Sequence, residues 1–483
     1  MSNKSITKNY IYNLIYQVLI LIVPFITTPY ISRVLGVENI GIYSYTISIS
    51  AYFILFGSLG IALYGQREIA YRQNSKCEYS ISFYEIVIFR IITMSISAII
   101  FYFAFALNNE YSIYYRILML ELIGNCVDIS WFFQGLEEFK KTTTRNLVVK
   151  IISVLLIFIL VKSQNDLIMY YIIYVASLLF GNISLWFYLP KYIEKVSLKD
   201  INILKHLRPT ISLFIPQIAI QIYTILDKTM IGNIIADKSE VGYYEQSQKI
   251  IKILLSIEGS LGIVMLPRVA NSFAKNDKEQ IEKYLKKAFS MAYLLAFPMI
   301  FGIIVISDEF VPIFFGPGYE KVSVIIKMLS PIILFIGVSG TIGHQYLLPT
   351  KKQKQYTGSV VCGAIINLTI NGLLIRRLYS MGAVIGTVAA EFSVALIQMI
   401  MIRKEFKNLN IVKLSFKYLT SGVVMFVVCY ILDSFIHNAL LSIIIRVIVG
   451  IIIYFAMLLI LKDEFCKEII EKMFKKFKFN VAK

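Results

Sequence analysis

Apolar runs of about twenty residues, separated by short polar or basic stretches, recur along the whole chain, and that is the length a helix needs to cross a bilayer core. The windows are roughly 9–31, 40–64, 82–107, 113–133, 146–161, 167–189, 208–231, 248–266, 288–306, 324–347, 357–375, 382–402, 415–435 and 440–461. They predict an all-α polytopic membrane protein of about fourteen transmembrane helices, with 146–161 the shortest window and twelve the nearest alternative count. The first run follows Lys4 and Lys8 and lacks a small-residue cleavage site, so it reads as a retained span.

Part of this pattern occurs twice. Gly57-Ser-Leu-Gly-Ile61 returns as Gly259-Ser-Leu-Gly-Ile263, with Gly41-Ile-Tyr43 ahead of the first and Gly242-Tyr-Tyr244 ahead of the second. Each copy closes on a cationic turn, Arg67-Glu-Ile-Ala70 and Arg268-Val-Ala270. A second echo sets Gln134 in Trp131–Lys141 against Gln345 in His344–Lys352, 211 positions on. The duplicated unit is roughly two hundred residues and six spans long, and six is even, so both copies start from the same side of the membrane. The expectation is two parallel six-helix repeats around a central cavity, plus two extra C-terminal helices. That gives an N-terminal lobe over 1–200, a second lobe over 201–410, and the added pair with a basic tail over 411–483. The glycines of the repeat, Gly57, Gly60, Gly259 and Gly262, read as helix-packing positions.

Composition sharpens the membrane reading. Mean hydropathy is +0.70, and 57% of residues are hydrophobic against 16% charged. A soluble protein of that balance would expose apolar patches it could not hide. The net charge of +18 is distributed by side. With the N-terminus placed inside, inner segments hold 34 lysines and arginines and outer turns hold 7. That asymmetry puts both termini in the cytoplasm and makes the basic excess a topology signal and a match to anionic lipid, not a nucleic-acid surface. The tail Phe465–Lys478 reads as an amphipathic helix on the inner leaflet or as a solvated basic tail.

Other chemistry is sparse. The five cysteines all lie outside the outer loops, so no disulfide is expected, and three scattered histidines give no metal spacing. The longest outer segment is about seventeen residues, near Ser307–Ser323, without paired catalytic acids, so the chain is not read as an enzyme and no cofactor is expected.

Two local stretches carry a family resemblance. They are Asn9-Tyr10 through Pro24-Phe-Ile-Thr-Thr-Pro-Tyr-Ile-Ser-Arg-Val-Leu-Gly36 with Gly41-Ile-Tyr-Ser44, and Trp131-Phe-Phe-Gln-Gly-Leu-Glu-Glu-Phe139. Both are similar to segments of Wzx-type polysaccharide flippases in the multidrug/oligosaccharidyl-lipid/polysaccharide exporter superfamily. The resemblance implies translocation of a polyprenyl-pyrophosphate-linked oligosaccharide from the inner to the outer leaflet of the bacterial cytoplasmic membrane, by alternating access. Capsule, O-antigen or exopolysaccharide synthesis would be the setting, with polysaccharide polymerase machinery as a partner. The alternatives are a cation-coupled multidrug exporter of the same fold and a lipid II flippase.

Charges at bilayer depth are costly and tend to face a bundle interior or a cavity. Arg90 lies about a dozen ångströms into the third span by helical rise, and its guanidinium suits phosphate oxygens. Lys228 and Lys252, in spans seven and eight, are further substrate-binding candidates. Lys150 and Arg446 can reach water by snorkelling. Glu121, Asp128, Glu258 and Glu391 are candidates for coupling to a proton or sodium ion, since burial raises a carboxyl group's proton affinity. Glu121 has a structural alternative, a pair with Arg90. Pro24 and Pro29 in the first span and Pro216 in the seventh are candidate gating kinks.

Overall fold

A backbone in lipid must satisfy its own hydrogen bonds, and the described residues are helical with no strand among them. The structure is a computed structural model that describes residues 6–262, 266–275, 277–403, 405–406 and 409–471. Side-chain surroundings are described from Val23 on, apart from 198, 215–217, 219–220, 222–223 and 258–268. By Cα proximity the chain divides into two compact units, Met1–Gly242 and Tyr243–Lys483.

In the first unit the helices are α1 (Ile6–Ser58), α2 (Ile61–Arg72), α3 (Lys76–Phe101), α4 (Ser112–Cys126), α5 (Ser130–Gly135), α6 (Phe139–Leu160), α7 (Leu167–Trp186) and α8 (Leu207–Ile234). α1 takes in the first expected window and most of the second. They meet at Gly36, where φ 77° and ψ 168° break the helix in a conformation that glycine alone adopts readily. The sequence around Trp131 forms the hub of the unit's core. Trp131, Phe132 and Phe133 are buried with Phe83 and Tyr79 of α3 and Ile61, Tyr64 and Ile69 of α2. Gly57 lies against Met94 and Ser97 of α3, the packing role expected of it.

The second unit holds most of α9 (Ser239–Gly262), then α10 (Leu266–Ala274), α11 (Lys278–Phe315), α12 (Glu320–Leu329), α13 (Ile332–Ile342), α14 (Gln353–Leu378), α15 (Ser380–Arg403), α16 (Ile411–Asp433) and α17 (Ala439–Ile460). α14 packs along α15, α16 along α17, and α11 along both α13 and α16. A π-helical turn, Gly343–Leu347, ends α13. The described start of the C-terminal tail is docked and not solvated: Cys466 is fully buried in the core of this unit and Lys287 binds Glu468 at 2.9 Å.

Among the described residues eleven helical stretches are long and apolar enough to cross a membrane, and the first of them, Val23–Arg72, reaches into two expected windows. The window 208–231 falls on α8, and the described residues of 248–266 fall on α9 and the first residue of α10. Residues such as Phe103, Ile159, Leu373 and Ile452 point outward, the surface a multi-pass membrane protein presents to acyl chains.

Candidate functional site

The polar centre of the first unit is a broken helix. Within the apolar stretch Ser112–Gly135, α4 stops at Cys126 and α5 starts at Ser130, and such a break leaves carbonyls that lipid cannot satisfy. Those of Gly124, Val127 and Asp128 are met by side chains. Asn182 donates to Gly124 at 2.8 Å, and the Trp186 indole donates to Val127 at 2.7 Å. The carbonyl of Asp128 accepts from the Trp131 indole at 3.1 Å and from Nη1 of Arg90 at 3.2 Å. The Asp128 carboxylate accepts from the Ser130 amide at 2.9 Å and its hydroxyl at 2.5 Å. Arg145 closes the cluster, donating to Ser130 Oγ at 2.5 Å and to Asn182 Oδ1 at 2.7 Å.

Arg90 is buried, only 3% exposed. Its Nε has no partner, and among the described residues it makes no ion pair with a carboxylate. The alternative pairing with Glu121 is not formed. Glu121, 4% exposed, accepts from Ser50 at 2.8 Å and from the Tyr174 hydroxyl at 2.7 Å. Tyr174 belongs to a group of rings that includes Tyr43, Tyr170 and Tyr171, whose centroids stand 4.7–6.0 Å from that of Tyr43.

The sequence candidates therefore fall into separate places. Arg90 and Asp128 come together, and Glu121 stands apart from them. Lys228 is half-buried on α8 and Lys252 is exposed on α9. Glu391 is 5% exposed on α15, one turn from Thr387, which meets the Tyr244 hydroxyl at 2.9 Å. Its helix and α14 share further buried polar groups, Asn367, Asn371, and Ser359 bound by Gln398 at 2.9 Å. Pro24 and Pro29 lie inside α1. The side chains of Glu258 and Pro216 lie outside the described residues.

Two clusters escaped the sequence reading. Arg446 does not snorkel: it is 2% exposed, with Nη1 3.0 Å from Asp433 and 3.1 Å from the Val305 carbonyl, and Nη2 2.6 Å from Glu309. It binds the C-terminal pair to α11. Glu85, fully buried, accepts from His206 at 2.9 Å, Lys205 at 2.7 Å and the Asn202 amide at 2.7 Å. An acid followed directly by Ile86-Val87-Ile88-Phe89 was the available signal for the second cluster.

The two repeat glycines Gly41 and Gly242 mark a tight backbone crossing. A Cβ on Gly41 would stand 1.7 Å from the Lys238 carbonyl oxygen, and one on Gly242 would stand 2.2 Å from that of Val37. Lys238 is buried there, donating to the carbonyls of Gly232 at 2.7 Å and Ile235 at 3.1 Å beneath the rings of Tyr45 and Tyr111. Burial pulls its ammonium below the ordinary lysine value, against the pull of Glu110 and Asp237.

Comparison with known proteins adds the family. The polysaccharide biosynthesis protein family matches residues 6–273, and the MatE family matches residues 213–373. A putative O-antigen transporter of Escherichia coli K12 is 25% identical over 404 residues, 83% of this chain and 97% of its own. A probable low-salt glycan biosynthesis flippase of Haloferax volcanii is 28% identical over 172 residues, 36% of each chain. Among solved structures, the lipid II flippase MurJ in an inward closed conformation has the same fold, with TM-score 0.67 at 15% identity over 95% of this chain and 99% of that one. An inward-facing multidrug resistance MATE transporter matches with TM-score 0.61 at 12% identity, covering 83% of this chain and 98% of that one. The chain belongs to the polysaccharide biosynthesis protein family, as a Wzx-type flippase of the multidrug/oligosaccharidyl-lipid/polysaccharide exporter superfamily.

Proposed function

We propose that the protein carries a polyprenyl-pyrophosphate-linked oligosaccharide repeat unit from the inner to the outer leaflet of the bacterial cytoplasmic membrane, by alternating access. In this reading the chain crosses the membrane fourteen times with both termini inside, and the glycan it releases feeds a polymerase. The observation that carries the substrate class is Arg90, a buried cation with an unpartnered Nε and no carboxylate bound to it among the described residues. Holding such a charge away from water is costly. A pyrophosphate reaching it would supply the missing acceptors and the opposite charge. A cationic drug would do the reverse, which weighs against the multidrug exporter reading.

Lys228 and Lys252 are assigned to the same anionic headgroup as it passes. Glu121 and Glu391, both buried within helices, are assigned to the coupling ion. Asp128 is assigned to the helix break, because its carboxylate holds Ser130. Pro24 and Pro29 would let the first arm of α1 bend.

Competition binding tests the substrate class. Purified protein in nanodiscs should be labelled by a photoreactive polyprenyl-pyrophosphate disaccharide, and unlabelled pyrophosphate lipid should suppress that labelling more than the monophosphate does. Suppression by cationic dyes but not by the pyrophosphate lipid would overturn the assignment in favour of drug export.

A further inference from the structure

We propose that Tyr64, His206 and Glu85 form a proton-released latch, holding the start of α8 and the linker before it against α2 and α3. The inference takes its meaning in a transport cycle from the function proposed above, but the latch is testable without transport.

The linker between α7 and α8 is sewn along α3 in register. The Tyr79 hydroxyl donates to the Tyr192 carbonyl at 2.8 Å, and Ser80 Oγ accepts from the Glu194 amide at 3.0 Å. Glu85 then takes the Asn202 amide, Lys205 and His206. His206 ends the series, fully buried at the N-terminus of α8. One ring nitrogen, Nε2, stands 2.9 Å from Glu85 Oε2, and the other, Nδ1, stands 2.6 Å from the Tyr64 hydroxyl. A carboxylate can only accept, so Nε2–H donates to Glu85, and Nδ1 accepts from Tyr64. The neutral imidazole satisfies every group in the chain.

A proton on Nδ1 ends that arrangement. The tyrosine hydroxyl must turn to accept, and its own hydrogen loses a buried partner. The added charge also finds no vacant carboxylate among its neighbours. From α2, Glu68 is paired with Arg72 at 2.7 Å, and Arg67 stands over the Tyr64 ring. From α3, Glu85 already holds Lys205 at 2.7 Å. Burial keeps the His206 imidazole below its ordinary value of 6.5, against the pull of Glu85. A lowered folded value means that the latch is at full strength above the ordinary value and weakens as pH falls through it.

What the latch restrains is the first helix of the second repeat. Thr210 Oγ1 donates to the His206 carbonyl at 2.5 Å, and Phe214 packs edge-on against Phe56. At the far end of α8, Asn233 accepts from Tyr45 at 2.5 Å and Thr229 donates to Ser48 at 3.2 Å. Uptake of one proton at His206 would release Tyr64 and weaken the first grip while leaving the second closed, so α8 would pivot about its far end.

Hydrogen exchange of the full-length protein in nanodiscs tests this. After correction for intrinsic rates, peptides spanning 198–214 should lose about tenfold protection between about pH 8 and about pH 5.5. In His206→Gln the same peptides should show no pH step. In Tyr64→Phe they should be less protected than wild type already at the higher pH. Wild-type protection independent of pH, an equal step in His206→Gln, or unchanged protection in Tyr64→Phe would each overturn the latch. A protein that shows the pH step yet moves no lipid-linked glycan would overturn the transport reading and leave the latch standing.

Discussion

Nη1 of Arg90 donates to the backbone carbonyl of Asp128, 3.2 Å away, in the gap between α4 and α5. That carbonyl is also held by the Trp131 indole, so the break keeps a donor if the arginine is lost. Arg90→Ala should therefore reach wild-type abundance in the membrane while its flipping rate falls about tenfold or more. Arg90→Lys should recover only part of the loss, because an ammonium cannot offer the planar fork. Wild-type flipping by Arg90→Ala would remove this residue from the substrate path.

Glu121 accepts from two hydroxyls, and a glutamine in its place would turn a donor toward one of them. Glu121→Gln should cost on the order of 1–2 kcal/mol of stability. If Glu121 carries the coupling proton, the same variant should flip at a rate that no longer responds to an imposed pH gradient. Thermal melting and gradient-dependent flipping, measured on one preparation, separate the two effects.

The crossing at Gly41 and Gly242 tolerates no side chain without movement of a neighbouring carbonyl. Gly41→Ala and Gly242→Ala should each lose about 1–3 kcal/mol by overpacking, read as a lower melting temperature. Gly302→Ala, with open space around it, is the matched control and should melt like wild type.

Arg446 holds Glu309 and Asp433 where α11, α16 and α17 meet. Arg446→Ala would strand both carboxylates and should destabilise the protein by on the order of 3 kcal/mol, less than a fully buried pair because both acids are partly exposed. Arg446→Met combined with Glu309→Gln and Asp433→Asn should melt closer to wild type than the single variant does.

Much of the fold was readable because the bilayer enforces one length and one backbone pattern. Among the described residues the expected windows fall mainly on helix, and Gly36 breaks α1 between the first two windows. The site was less readable, for a physical reason. Hydropathy places Arg90 at depth but cannot say that its nearest need is a carbonyl freed by a helix break 38 residues away. His206 looked like one of three scattered histidines, since the acid that fixes it is 121 residues earlier in the chain. Arg446 sits where snorkelling is possible by length, and only the fold brings Glu309 and Asp433 to it.

The most direct test of the account is flipping of a fluorescent polyprenyl-pyrophosphate oligosaccharide in proteoliposomes, with and without a proton or sodium gradient. The account predicts protein-dependent movement between leaflets that an imposed gradient accelerates and that Arg90→Ala slows about tenfold or more. Folded wild-type protein that moves no such lipid, yet exports cationic drugs, would contradict it.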